Sequence, residues 1–132
     1  GAAGQVGTVR LDSNNKFGFK IQLDSANDGY LAHSTYDSGS PDDNKRIAYT
    51  VTLANGAANA TDAAYDLTDK TITMTDGVAA NRQVTYSDGD AADVDHPTIN
   101  LGYDVRINTG LKLLYEAGST YSDTLTITMT AL

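Results

Sequence analysis

The sequence contains no cysteine and no tryptophan, only two prolines, and a single glutamate, Glu116, among its seventeen acids. Without cysteine there is no disulfide scaffold, no Cys-ligated zinc and no thiol catalysis. Basic residues are scarce: nine Lys and Arg against seventeen Asp and Glu give a net charge of −8. That balance argues against a nucleic-acid partner, because phosphate binding needs clustered Lys and Arg. Uninterrupted apolar runs are only a few residues long, so no membrane insertion is expected. The opening Gly1-Ala2-Ala3-Gly4 has neither a basic region nor an apolar stretch. It therefore reads as a mature secreted protein or a trimmed chain rather than a signal peptide.

What is abundant points to strands. Sixteen of the acids are Asp, and there are seventeen Thr and eight Tyr in 132 residues. Asp favours turns and caps, whereas Glu favours helix interiors. Thr and Tyr favour strands. At 40% hydrophobic residues the chain is not disordered, and its length fits one domain over residues 1–132.

The apolar period is two along most of the chain. Phe17, Phe19, Ile21 and Leu23 alternate with polar neighbours, as do Ile47, Tyr49, Val51 and Leu53. Ile72 and Met74, Val84 and Tyr86, and Leu101, Tyr103, Val105 and Ile107 repeat the pattern. Residues 120–131 read as one strand, with Tyr121, Leu125, Ile127, Met129 and Ala131 on one face and Thr or Ser on the other. A shorter strand is expected over residues 6–11. Between these lie runs rich in Asp, Asn, Gly and Ser, at 24–29, 36–45, 54–69, 76–80, 87–97 and 116–119. Residues 57–64 and 111–117 are the two places for a short helix, neither beyond two turns. About seven antiparallel strands with turns between them predict an all-β sandwich of two stacked sheets.

Chemistry-bearing patterns are few. His33 and His96 both fall in expected loops, and no Gly-x-Ser-x-Gly elbow or phosphate-binding Gly-Lys run is present. With one Glu, a paired-Glu glycosidase site is absent. No enzyme activity is expected. Asp88, Asp90, Asp93 and Asp95 lie within nine residues that end at His96. Alternating carboxylates suit calcium, which takes six to eight oxygen ligands, although the twelfth-position acid of an EF-hand is missing. The same run also reads as a solvated acidic loop. No other cofactor is expected. Asn59-Ala60-Thr61 is a glycosylation triplet. Tyr30, Tyr36, Tyr65, Tyr103 and Tyr115 would serve either a sugar-binding face or the sheet rims.

Several segments, in this order, also resemble a known family. They are Val6-Gly7-Thr8-Val9, Ser13-Asn14-Asn15-Lys16-Phe17-Gly18-Phe19-Lys20-Ile21 and Asp24-Ser25-Ala26-Asn27-Asp28-Gly29-Tyr30-Leu31. Arg46-Ile47-Ala48-Tyr49-Thr50-Val51-Thr52-Leu53 follows, and the ending is Glu116-Ala117-Gly118-Ser119-Thr120-Tyr121-Ser122-Asp123-Thr124-Leu125-Thr126-Ile127-Thr128. Together these resemble the spore-coat-U-like and fimbrial subunits of Gram-negative bacteria, relatives of chaperone–usher pilins.

The resemblance implies an immunoglobulin-like β-sandwich that lacks one strand and is completed by a strand from a neighbouring subunit. It implies a groove bordered by Tyr121, Leu125, Ile127 and Met129, with Val105 and Ile107 on the preceding strand helping to line it. The implied partners are copies of the chain in an extracellular fibre or surface coat, a periplasmic chaperone and an outer-membrane usher. Only Gly1–Gln5 precede the first expected strand. The donor arm is therefore expected to lie outside this chain, or the subunit to be completed another way. The alternative is a self-complete adhesin or carbohydrate-binding sandwich, stabilised by calcium at the Asp88–Asp95 run.

Overall fold

Alternating residues commit the strands, and burial follows the alternation. In the computed structural model, which describes residues 4–13, 18–55, 69–87, 99–109 and 120–132, nine strands are seen. They are β1 (Gly4–Ser13), β2 (Gly18–Ser25), β3 (Tyr30–His33), β4 (Arg46–Asn55), β5 (Lys70–Thr73), β6 (Gln83–Ser87), β7 (Ile99–Thr109), β8 (Tyr121–Ser122) and β9 (Leu125–Ala131). Short 3-10 turns occupy Asp43–Lys45 and Ala79–Arg82. Among the described residues there is no α-helix.

The strands form two antiparallel sheets. The larger runs β1-β7-β4, after which β3 and β5 share the far edge of β4 and β8 adds to β3. The smaller is β6-β2-β9. Their apolar faces meet. Phe19, Ile21 and Leu23 of β2 join Tyr49, Val51 and Leu53 of β4, Ile72 of β5, Met74 and Val105 of β7 in one buried cluster. Each fully buried aliphatic side chain of this set contributes about 1.5–3 kcal/mol relative to exposure. The all-β, two-sheet sandwich expected from the alternation is thus what the chain adopts.

Two departures matter for the site. First, Tyr30–His33 is a strand, although it lies beside a loop signal and is too short to show a period. His33, expected in a loop, is its last residue and is only 6% exposed. Second, the single strand expected over residues 120–131 is two strands in different sheets. β8 pairs with β3 in the larger sheet, and β9 pairs with β2 in the smaller. The chain changes sheet at Asp123-Thr124, where the Asp123 carboxylate turns the backbone by accepting from Thr124 N at 2.7 Å. Residues 57–64 and 111–117, Asn59, His96, Tyr65 and Tyr115 lie outside the described residues.

Candidate functional site

Three of the segments singled out in the sequence converge on one corner. Ser25-Ala26-Asn27-Asp28-Gly29 forms the turn from β2 to β3, with Tyr30 N bonded to Asn27 O at 3.1 Å. Asp28 and Gly29 both have positive φ, 53° and 84°, the requirement of a type I′ turn, here carrying the chain from the smaller sheet to the larger. Gly29 is obligatory for a second reason: a Cβ there would sit 2.2 Å from the Met74 carbonyl carbon and oxygen. The Ser25 hydroxyl accepts from Gly29 N at 2.7 Å and Asn27 N at 3.2 Å. It donates in turn to Asp123.

Asp123 ties this turn to the rest of the sandwich. Its carboxylate also accepts from Asn27 N at 3.0 Å and from the Tyr49 hydroxyl at 2.6 Å. Asn27 Nδ2 donates to Ser122 O at 3.1 Å, and Ala26 N to Thr124 O at 3.0 Å. Burial, and then the neighbouring carboxylate, push the Tyr49 phenol well above its ordinary range. Every acceptor site of Asp123 is used within the chain, so the corner is a structural knot joining β2, β4, β8 and β9.

His33 lies nearby on β3, opposite Tyr121 of β8. The two rings meet edge to face at 5.4 Å. His33 Nδ1 accepts from Thr35 N at 3.1 Å, which assigns the proton of the neutral ring to Nε2. Nε2 is buried and has no hydrogen-bond partner among the described residues.

Beyond the corner runs β9. Leu125 and Ile127 point inward and are partly buried against the core. Met129, next on the same face, is 40% exposed, and Leu132 is 45% exposed. Thr126, Thr128 and Thr130 face outward and are exposed. One edge of β9 is paired to β2 from Phe19↔Ala131 to Ser25↔Leu125. Among the described residues no strand pairs with its other edge.

Among the described residues, three of the other outer strands carry something that discourages pairing. β1 has Arg10, Asp12 and a register shift between Gln5 and Gly7. β5 has Lys70 and only four residues, and β8 only two; β6 is uncharged like β9 but shorter, with five residues. β9 has seven residues with no charge, proline or glycine.

The expected groove residues therefore fall in three places. Leu125, Ile127 and Met129 share the inner face of β9. Val105 and Ile107 are on β7 in the opposite sheet, Val105 inside the core and Ile107 packed against it. Tyr121 is on β8, where its hydroxyl donates to Asn44 O at 2.9 Å, and it is not on the β9 strand. The candidate calcium ligands Asp88, Asp90, Asp93 and Asp95 lie outside the described residues. Among the described residues no group of three or more His, Asp or Glu is arranged to hold a metal, and no helix is long and apolar enough to cross a membrane.

A polar cleft of about 220 Å³ is lined by Ser25, Asp28, Asp76 and Arg82 among others. All three guanidinium nitrogens of Arg82 donate within the chain, to Leu23 O, Asp76 O and Asp24. The cleft is thus held together by its own bonds. Comparison with known protein families, curated proteins and solved structures finds no match to this chain.

Proposed function

We propose that this protein is a structural subunit of an extracellular fibre, pilus or surface coat, joined to its neighbours by β-strand addition at β9. The observation that carries the reading is the uncharged edge of β9, which no strand among the described residues pairs with, and Met129 exposed beside it. A seven-residue edge of alternating Thr and apolar residues is an aggregation hazard unless something pairs with it. An added strand satisfies its main-chain groups, and alternate side chains of that strand cover Ile127 and Met129. The strand comes from a neighbouring copy. Before assembly, a periplasmic chaperone shields the edge, and an outer-membrane usher delivers the subunit to the cell surface. This last step rests on the resemblance of the three segments that meet at Asp123.

Negative-stain microscopy of material from the native source tests the reading. The expected result is filaments or a coat layer containing this chain. A stable monomer found in no filament and no coat overturns it.

A further inference from the structure

The composition of β9 makes it complementary to itself. Consider two copies whose β9 strands pair antiparallel about a two-fold axis through Thr128. All seven residues of Leu125–Ala131 then find partners. On the inner face, Ile127 lies opposite the partner's Met129, and Leu125 opposite the partner's Ala131. On the outer face, Thr126 lies opposite the partner's Thr130, and Thr128 opposite itself. Apolar residues meet apolar ones and Thr meets Thr, both favourable cross-strand pairs. Shifting the register by two residues in one direction brings Asp123 opposite Ala131; in the other, it carries Leu125 past Ala131, the last residue of β9.

The next strand outward adds no conflict. On β2, Lys20 is beside Thr130 and Asp24 is beside Thr126. A row that begins at Lys20 in one copy therefore ends at the partner's Asp24. The central row ends in Gln22 on both sides. These ends stand about three strand spacings apart, roughly 14 Å, where their attraction is largely screened. What counts is that no like charges face each other anywhere along the seam.

We infer that the free subunit forms an isologous dimer through β9–β9 pairing, fusing the two small sheets into one six-stranded sheet. The dimer covers the exposed Met129 of each copy with the partner's Ile127. It closes on itself, as two-fold contacts do, and so holds the addition edge in reserve until a donor strand displaces it. The inference rests on the reading of β9 as the association edge, but it does not require a fibre.

The absence of cysteine makes the test clean. Opposed residues in an antiparallel pair have Cα atoms about 4.5–5.5 Å apart, within the span of a disulfide, about 4.4–6.8 Å. Under a mild oxidant, Thr128→Cys is expected to give a covalent dimer. Thr126→Cys alone should stay unlinked, and a mixture of Thr126→Cys with Thr130→Cys should yield the mixed dimer. Sedimentation should show a dimer for the unmodified protein and its loss in Thr128→Lys, whose thermal midpoint should match that of the unmodified protein diluted until it is monomeric. Equal cross-linking of Thr126→Cys and Thr128→Cys, or a monomer in sedimentation of the unmodified protein, overturns the inference. Filaments in native material without the Thr128→Cys dimer sink this inference alone. The dimer without filaments sinks the fibre reading alone.

Discussion

On one flank of β2, strand β6 pairs as far as Gln22↔Gln83, and the turn Ala79–Arg82 then takes over. Gln22 Nε2 donates to Ala79 O at 3.1 Å and Arg82 O at 3.2 Å. Arg82 donates to Leu23 O at 3.3 Å and pairs with Asp24 at 3.1 Å. Side chains thus cover the strand where its neighbour stops. On the other flank, β9 is paired to β2 along its whole length, and its second edge carries no charge and, among the described residues, no cover. β2 is finished by side chains on the first flank, whereas the seven-residue outer edge of β9 on the other is open among the described residues. Natural sheets protect edges unless the edge has a partner; the contrast is therefore a statement about assembly.

The sharpest way to break that contrast is Ile127→Asp. A carboxylate on the partly buried inner face of β9 is expected to cost about 3 kcal/mol or more. It should abolish association, read by urea unfolding and sedimentation. A variant that folds and associates normally would show that this face of β9 is not covered in the assembly.

Next in size is Asp123→Ala, which removes the acceptor for Ser25, Asn27, Thr124 and Tyr49. A loss of about 2–3 kcal/mol is expected, because hydrogen bonds to a charged group are lost and the Tyr49 hydroxyl is left buried and unpaired. Hydrogen exchange should speed up first at β8 and β9. Uniform acceleration across all strands would mean that the corner does not specifically anchor the open edge.

Arg82→Ala acts on the protected flank. It strips the cover from Leu23 O and Asp76 O, with an expected cost of about 1–2 kcal/mol. It should also create a second sticky edge, seen as larger species in sedimentation. If the variant remains as well behaved as the parent, Arg82 is not what separates the two flanks.

The smallest effect is a pH effect in the same turn. Asp76 accepts from Val78 N and Asn81 Nδ2 at 2.9 Å each, and these bonds, then Arg82, hold its carboxyl below the ordinary value. A lowered folded-state pKa contributes stability above the unfolded value of about 3.9, lost as pH falls through the folded one. Asp76→Asn should therefore lower the thermal midpoint slightly near neutrality, with the difference from the parent disappearing in acid. A constant offset at every pH would rule out the carboxylate as its source.

Much of this was legible in the chain. The alternation of Phe19, Ile21 and Leu23, and of Tyr49, Val51 and Leu53, predicted inward faces that are indeed buried. The loop signal at 24–29 marked the turn that Asp28 and Gly29 make. Two features were not legible. His33 belongs to a four-residue strand, too short for any period to show. In the 120–131 run Asp123 falls on the apolar face, between Tyr121 and Leu125; that break is visible in the sequence, but what the carboxylate does there is not. Its role depends on Ser25 and Asn27, nearly a hundred positions away, and on Tyr49 in another strand.

By itself the sequence determined the class of fold, because a period of two with Asp-rich breaks can bury its apolar residues only as stacked sheets. It also determined that the C-terminal strand is uncharged. Only the tertiary structure decided that this strand is an edge among the described residues, that the chain leaves the larger sheet at Asp123, and that β9 pairs with β2. Strand pairing joins residues distant in the chain, and whether a strand lies inside a sheet or at its rim depends on neighbours that no local pattern specifies.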